Sequence, residues 1–177
     1  MSDPFAKYFS PHEVSCMCGA PDCIWQTEEA CAAAFSVSPI SDRTIIQVAD
    51  HLRESCGFPL IVNSALRCPQ HPREVAKYAL RGSDWRSSHS SGWAIDFRQP
   101  DNFRDQEILF FHVNRLFFHR RIAAVGVADH FLHIDIGHPD PQYLASRKRG
   151  VSYAYQQCSS PRFRAYANHL GYVAFAR

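Results

Sequence analysis

The sequence predicts an α+β fold in which a small antiparallel sheet is flanked by helices. Three observations predict it. Helical and strand patterns mix along the chain without a regular βαβ alternation. Two apolar runs, Ile122 to Val127 and Phe131 to Ile136, are joined only by Ala128-Asp129-His130, a link suited to neighbouring antiparallel strands. Hydrophobic residues make up 46% of the 177 residues and charged ones 20%, enough apolar content for the core of one domain. The expected organisation is a single domain over 1–177, with its motif-bearing core at 8–137 and a helical C-terminal extension at 138–177.

The elements follow in order. Ser10-Pro11-His12-Glu13 reads as a capping box opening a short helix, with proline in its first turn. A helix is expected over 41–56, capped by Ser41 or Asp42. Its apolar stripe is Ile45, Val48, Ala49, Leu52 and Cys56, and Gly57 stops it. Phe58 to Val62 reads as a strand and 72–80 as a helix. Trp93 to Phe97 should be a strand, with Ala94 and Asp96 on one face and Ile95 on the other. Asp101 or Asn102 can cap a longer helix reaching about His119, with Ile108, Leu109, Leu116 and Phe117 inward. Ser160-Pro161 opens a last helix that Gly171 ends. Phe110, Phe111, Phe117 and Phe118, with Trp93, read as core rather than a ligand stripe.

Composition excludes several classes. Lys and Arg total 19 against 17 Asp and Glu, a net charge of +2. That balance lacks the basic excess of a phosphate-tracking protein, so no nucleic-acid partner is expected. Arg147-Lys148-Arg149 is a basic run that reads as a solvated loop. No apolar run is long enough for a membrane-spanning helix, so no membrane insertion is expected. The first residues show no basic-then-apolar export signal, which gives cytoplasmic synthesis as the expectation. A monomer is the favoured state.

Seven cysteines cannot all pair within one chain. Cys16, Cys18 and Cys23 cluster, with Cys31 and His12 nearby. They could hold a structural zinc, but the paired C-x-x-C knuckles of a strong zinc signal are missing. Free thiols or a local disulfide is the plainer reading.

Among ten histidines, three stand out by their company. His89 lies in Ser87-Ser88-His89-Ser90-Ser91-Gly92-Trp93-Ala94-Ile95-Asp96. His130 and His133 lie in His130-Phe131-Leu132-His133-Ile134-Asp135. The Ser and Gly residues permit a tight turn, so His89 can approach from a loop while Asp96 projects from the next strand. His133, on a neighbouring strand, supplies a third donor. Two nitrogens and one oxygen suit a catalytic zinc, which keeps a position for water and lowers that water's pKa to about 7. This places a zinc site on the sheet. A hydrogen-bonded His–Asp pair at a turn is the plainer alternative.

Ser87-x-His89-x-x-Gly92-x-Ala94-x-Asp96 resembles, at every fixed position, the S-x-H-x-x-G-x-A-x-D motif of the LAS-type zinc peptidases. That family includes D-Ala-D-Ala carboxypeptidases, phage L-alanyl-D-glutamate endopeptidases and the zinc-bearing domain of hedgehog proteins. Val62-Asn63-Ser64-Ala65-Leu66-Arg67 resembles the family's strand ending in S-x-x-R. Phe131-Leu132-His133-Ile134-Asp135 resembles its closing strand, and Phe9 to Gly19 the lead-in of the phage and prophage branch.

The resemblance implies His89, Asp96 and His133 as ligands of Zn2+. It implies Arg67 beside the metal, donating to the scissile carbonyl or gripping a substrate carboxylate. Ser87 would hydrogen-bond substrate backbone. Many members place an acidic residue three positions before the last zinc histidine, and here that position is His130, the expected proton carrier. Asp129 lies one residue earlier; Asp135 shares a face with His133 and is expected to orient a neighbour. The implied partner is the peptide of bacterial peptidoglycan. An endolysin-type endopeptidase acting at the wall after release is the first expectation and a D-Ala-D-Ala carboxypeptidase the second. A non-catalytic, zinc-stabilised wall-binding or virion protein is the third.

Overall fold

The computed structural model describes residues 6–35, 43–81, 87–137, 151–154 and 160–169. Helix α1 spans Pro11–Val14, α2 Glu28–Phe35, α3 Ile45–Cys56, α4 Pro72–Arg81, α5 Phe103–Phe118 and α6 Pro161–His169. Strands β1 (Val62–Ser64), β2 (Ala94–Arg98), β4 (Phe131–Asp135) and β3 (Ala124–Val127) form an antiparallel sheet in that spatial order. This is the α+β architecture the sequence predicts. Strand β5 (Val151–Ala154) extends it, pairing in parallel with β3. The segment expected to be a helical extension therefore also carries an edge strand.

Local chemistry explains the helix starts. Ser10 caps α1, and the Glu13 carboxylate reaches back to the Ser10 N–H, completing the expected capping box. Thr44 caps α3 through the same reciprocal arrangement with Gln47. The expected caps Ser41 and Asp42 lie outside the described residues, as do Arg147-Lys148-Arg149 and Gly171. Gly57 ends α3 with φ +73°, a left-handed conformation that favours glycine. Asn102 caps α5. Helix α2 was not expected, although Thr27 accepts from the Ala30 N–H at its start.

Strand alternation sorts the sheet into two chemically different faces. Ile95, Phe97, Val125, Val127, Leu132 and Ile134 share one face. They join a single core with the buried sides of α3 and α5, including Ile45, Leu52, Leu109 and Val113. Phe110 and Phe117 are part of that core, whereas Phe111 and Phe118 are exposed. The other face carries Asp96, His133 and Asp135 among small neighbours. His133 lies opposite Asp96 on one side and Gly126 on the other; Asp135 lies between Ala94 and Ala124. Small residues leave room there for the polar side chains, and both faces are buried. No helix among the described residues is long and apolar enough to cross a membrane.

Candidate metal centre

The turn over residues 87–92 delivers His89 to the polar face. The Ser91 N–H donates to the Ser87 carbonyl at 3.1 Å, and the Trp93 N–H to the Ser88 carbonyl at 2.8 Å, before the chain enters β2. Gly92 has φ +70°, and a Cβ there would lie 2.1 Å from the Ala34 carbonyl oxygen of α2. Glycine is required by both its backbone angle and the closeness of that helix.

His89, Asp96 and His133 converge, with one potential ligand atom from each lying within 4.8 Å of the others. His89 Nε2 is 3.3 Å and His133 Nδ1 2.7 Å from the same atom, Asp96 Oδ1. His89 Nδ1 lies 2.6 Å from the Ala65 carbonyl oxygen. A carbonyl can only accept, so Nδ1 carries the proton and Nε2 presents its lone pair to the cluster. His133 turns Nδ1 inward and leaves Nε2 3.8 Å from Asp135 Oδ2. Asp135 is itself fixed by the Ser88 hydroxyl and the Gly137 N–H. Two imidazoles, one fixed by a carbonyl and one backed by a carboxylate 3.8 Å away, and one carboxylate form a donor set that fits a divalent metal such as zinc.

The electrostatics favour the same state. Burial pushes the His89 imidazole down to about 4, so it is neutral near pH 7, as a metal ligand must be. Burial alone would raise the Asp96 carboxyl, but the facing histidines outweigh it and hold the group well below the usual carboxylate range. His133 moves upward because its contacts with Asp135 and Asp96 overcome the effect of burial.

Arg67 flanks the cluster and is only 4% exposed. Its Nη2 donates to Asp96 Oδ2 at 2.5 Å, its Nε donates to Ser64 Oγ at 2.9 Å, and its Nη1 lies 3.6 Å from Glu74 Oε1. The two oxygens of Asp96 are thus divided, one toward the imidazoles and one toward the guanidinium. Ser87 is buried at the start of the turn.

The positions of His130 and Asp129 can be read from the strand register. The register runs from Ala94 opposite Asp135 to Arg98 opposite Phe131, and the His89 turn enters at the Ala94 end. His130 lies beyond the other end, where its carbonyl accepts from the Gln99 N–H, and it is exposed. Two residues, Phe131 and Leu132, separate it from His133, three steps along the chain or roughly 10 Å of backbone. Asp129 accepts from the Ser160 N–H at 3.1 Å, a link to the start of α6.

Sequence reasoning missed Glu74, Ser88 and the Ala65 carbonyl. Ser88 had a signal in its place between Ser87 and His89. Glu74, fully buried in α4 with Lys77 one turn on, reads from sequence as half of a surface ion pair.

A family model described as Peptidase M15 matches residues 7–135, which include the whole cluster, Arg67 and the lead-in cysteines. Comparison with curated proteins and with solved structures gives no match. With well over half of its length matched, and with His89, Asp96 and His133 gathered on the sheet as a candidate metal centre, this chain belongs to the Peptidase M15 family.

Proposed function

We propose that this protein is a zinc-dependent peptidase that hydrolyses peptidoglycan stem peptides, with a D-Ala-D-Ala carboxypeptidase as the leading form. The observation that carries the reading is the buried His89/Asp96/His133 cluster, in which His89 is held by the Ala65 carbonyl and Asp135 stands 3.8 Å behind His133. Family membership supports the peptidase chemistry. The lead-in residues that resemble the phage branch form α1 and part of a cysteine cluster. The family match does not separate an endolysin-type role from carboxypeptidase activity.

His89 would bind zinc through Nε2, His133 through Nδ1 and Asp96 through Oδ1. Zinc held there would supply Lewis acidity and a water with its pKa lowered to about 7. The chain's own residues prepare that site. Ala65 fixes the His89 tautomer, and Ser88 holds Asp135 behind His133. Arg67 holds Asp96 ionised and steady; its N–H groups not engaged by Ser64, Asp96 and Glu74 are the donors for a substrate carbonyl or carboxylate. Ser87, at the edge of the same turn, is the proposed contact to substrate backbone.

Purified full-length protein loaded with zinc should release peptidoglycan fragments, and a chelator should abolish the release. Mass spectrometry of the products identifies the bond. Free D-Ala supports the carboxypeptidase form, and new amino termini within the stem support an endopeptidase. A zinc-loaded protein that binds the wall and releases nothing overturns the enzymatic reading in favour of a binding domain. His130→Ala tests the proton carrier. As His130 is the proposed general base, the variant should lose at least about 100-fold in turnover with zinc retained, whereas unchanged activity would move that role to Asp129 or elsewhere.

A further inference from the structure

The protein carries a second convergence of metal-binding atoms, outside the histidine cluster. Cys16 and Cys18 follow α1, Cys23 lies in the next turn, and Cys68 arrives from far along the chain, directly after Arg67. Their four sulfur atoms all lie within 4.8 Å of one another. Cys16, Cys23 and Cys68 are buried, and Cys18 is partly so. We propose that these four cysteines bind a structural zinc ion as thiolates.

Geometry separates this from the simpler fates of buried thiols. Zinc–sulfur bonds of about 2.3 Å in a tetrahedron place the sulfurs roughly 3.8 Å apart. The sulfurs of Cys18 and Cys68 are 3.4 Å apart. A disulfide needs about 2.05 Å and joins sulfurs only in pairs, whereas here all four converge on one point. Cys31, the other cysteine of the lead-in, is not in the group; its thiol donates to the Pro11 carbonyl. His12 is also outside it.

The backbone is arranged around sulfur acceptors. The Cys68 N–H donates to Cys16 Sγ at 3.2 Å, and the Ala20 N–H donates to Cys18 Sγ at 3.4 Å. Gly19, with φ +70°, makes the turn that aims the Ala20 N–H back at Cys18. Such donors stabilise negative charge on sulfur, which a four-thiolate site accumulates. Binding releases the four thiol protons to solvent and leaves zinc with a closed shell, so the site has no position for substrate and its role is mechanical.

That role follows from residues 65–68. The Leu66 N–H donates to the Val14 carbonyl on the lead-in side, and the Arg67 N–H to the His89 carbonyl on the motif side. A metal on Cys16 and Cys68 would clamp this segment to the lead-in and so fix the backbone on which Arg67 stands. The same arrangement closes a loop of about 50 residues, whose entropy the unfolded chain would otherwise keep.

Metal content and the cobalt spectrum of the full chain, purified under reducing conditions, test the proposal. The parent should hold two metals per chain. His89→Ala should hold one, and its cobalt-loaded form should keep a thiolate-to-metal charge-transfer band. Cys68→Ser should also hold one, and its cobalt form should lack that band. If Cys68→Ser does not fold, the His89→Ala spectrum decides. The proposal is overturned if His89→Ala binds no metal or shows no thiolate band. It is also overturned if unreduced parent protein is lighter by two hydrogens for each disulfide among these cysteines. The histidine site is counted separately in Cys68→Ser or, should that variant not fold, by the second metal of the parent. The peptidase reading and this one therefore fail independently.

Discussion

Replacing Gly92 by alanine tests whether the motif turn is shaped by steric necessity, and Gly57→Ala supplies the control. Both glycines are left-handed, at φ +70° and +73°. At Gly57 an added Cβ meets nothing within 4 Å, so only the backbone angle matters. That angle costs alanine about 1–2 kcal/mol. A stiffer unfolded chain offsets about 0.4–1 kcal/mol of it. The net loss for Gly57→Ala is then about 1 kcal/mol. At Gly92 the same Cβ lies 2.1 Å from the Ala34 oxygen and 2.7 Å from its carbonyl carbon. These are backbone atoms of α2 and cannot rotate away, so the turn or the helix must shift. Overpacking of this kind adds about 1–3 kcal/mol, giving a total of about 3 kcal/mol. For a chain of this size each kcal/mol lowers Tm by about 2–4 °C, so the expected losses are about 3 °C for Gly57→Ala and about 10 °C for Gly92→Ala. Thermal melts by circular dichroism measure both. Zinc titration should weaken only in Gly92→Ala, because the Gly92 N–H donates to the His89 carbonyl and carries any shift to the ligand. Equal melting points with unchanged zinc affinity would refute the steric argument.

Arg67→Ala leaves Asp96 and Glu74 buried without their guanidinium; thermal denaturation should show a loss of about 3–5 kcal/mol. Arg67→Lys keeps the charge but not the fork and should recover only part of that stability. Ser88→Ala removes the hydroxyl that holds Asp135, and competition with a chelator should show zinc affinity lower by about 10–100-fold. Burial pushes the Cys56 thiol up to about 11, against the opposing influence of Arg53. The folded state therefore keeps its proton longer than the unfolded one. The stability that this provides is complete below about pH 9 and is lost as pH rises toward 11; alkylation at pH 9 should be much slower than for a free thiol.

The His89–Asp96 pair was legible because its spacing is local, and His133 because Phe131 to Asp135 resembles the family's closing strand. A turn of Ser and Gly followed by a strand fixes where His89 and Asp96 point, and alternation places His133 on the matching face. The capped helices α1 and α5 were legible for the same reason: a side chain and a nearby N–H decide the start. What escaped the sequence depends on tertiary contact. Cys68 completes the cysteine cluster only because residues 65–68 return beside the lead-in. Val151 to Ala154 is too short and too little patterned to announce an edge strand, which exists by pairing with β3. His130 lies just before β4, and its backbone position, next to Phe131 opposite Arg98, follows from the register rather than from local spacing.

The division of the Asp96 carboxylate between Arg67 and the two imidazoles has a coordination consequence. With Oδ2 engaged by a guanidinium, Asp96 can present only Oδ1 to an ion. Its denticity is fixed before any cation arrives, and the protein supplies three donors rather than four. A larger, oxygen-seeking ion such as calcium, which draws on chelating carboxylates and six or more ligands, is disfavoured by a salt bridge that never touches the ion.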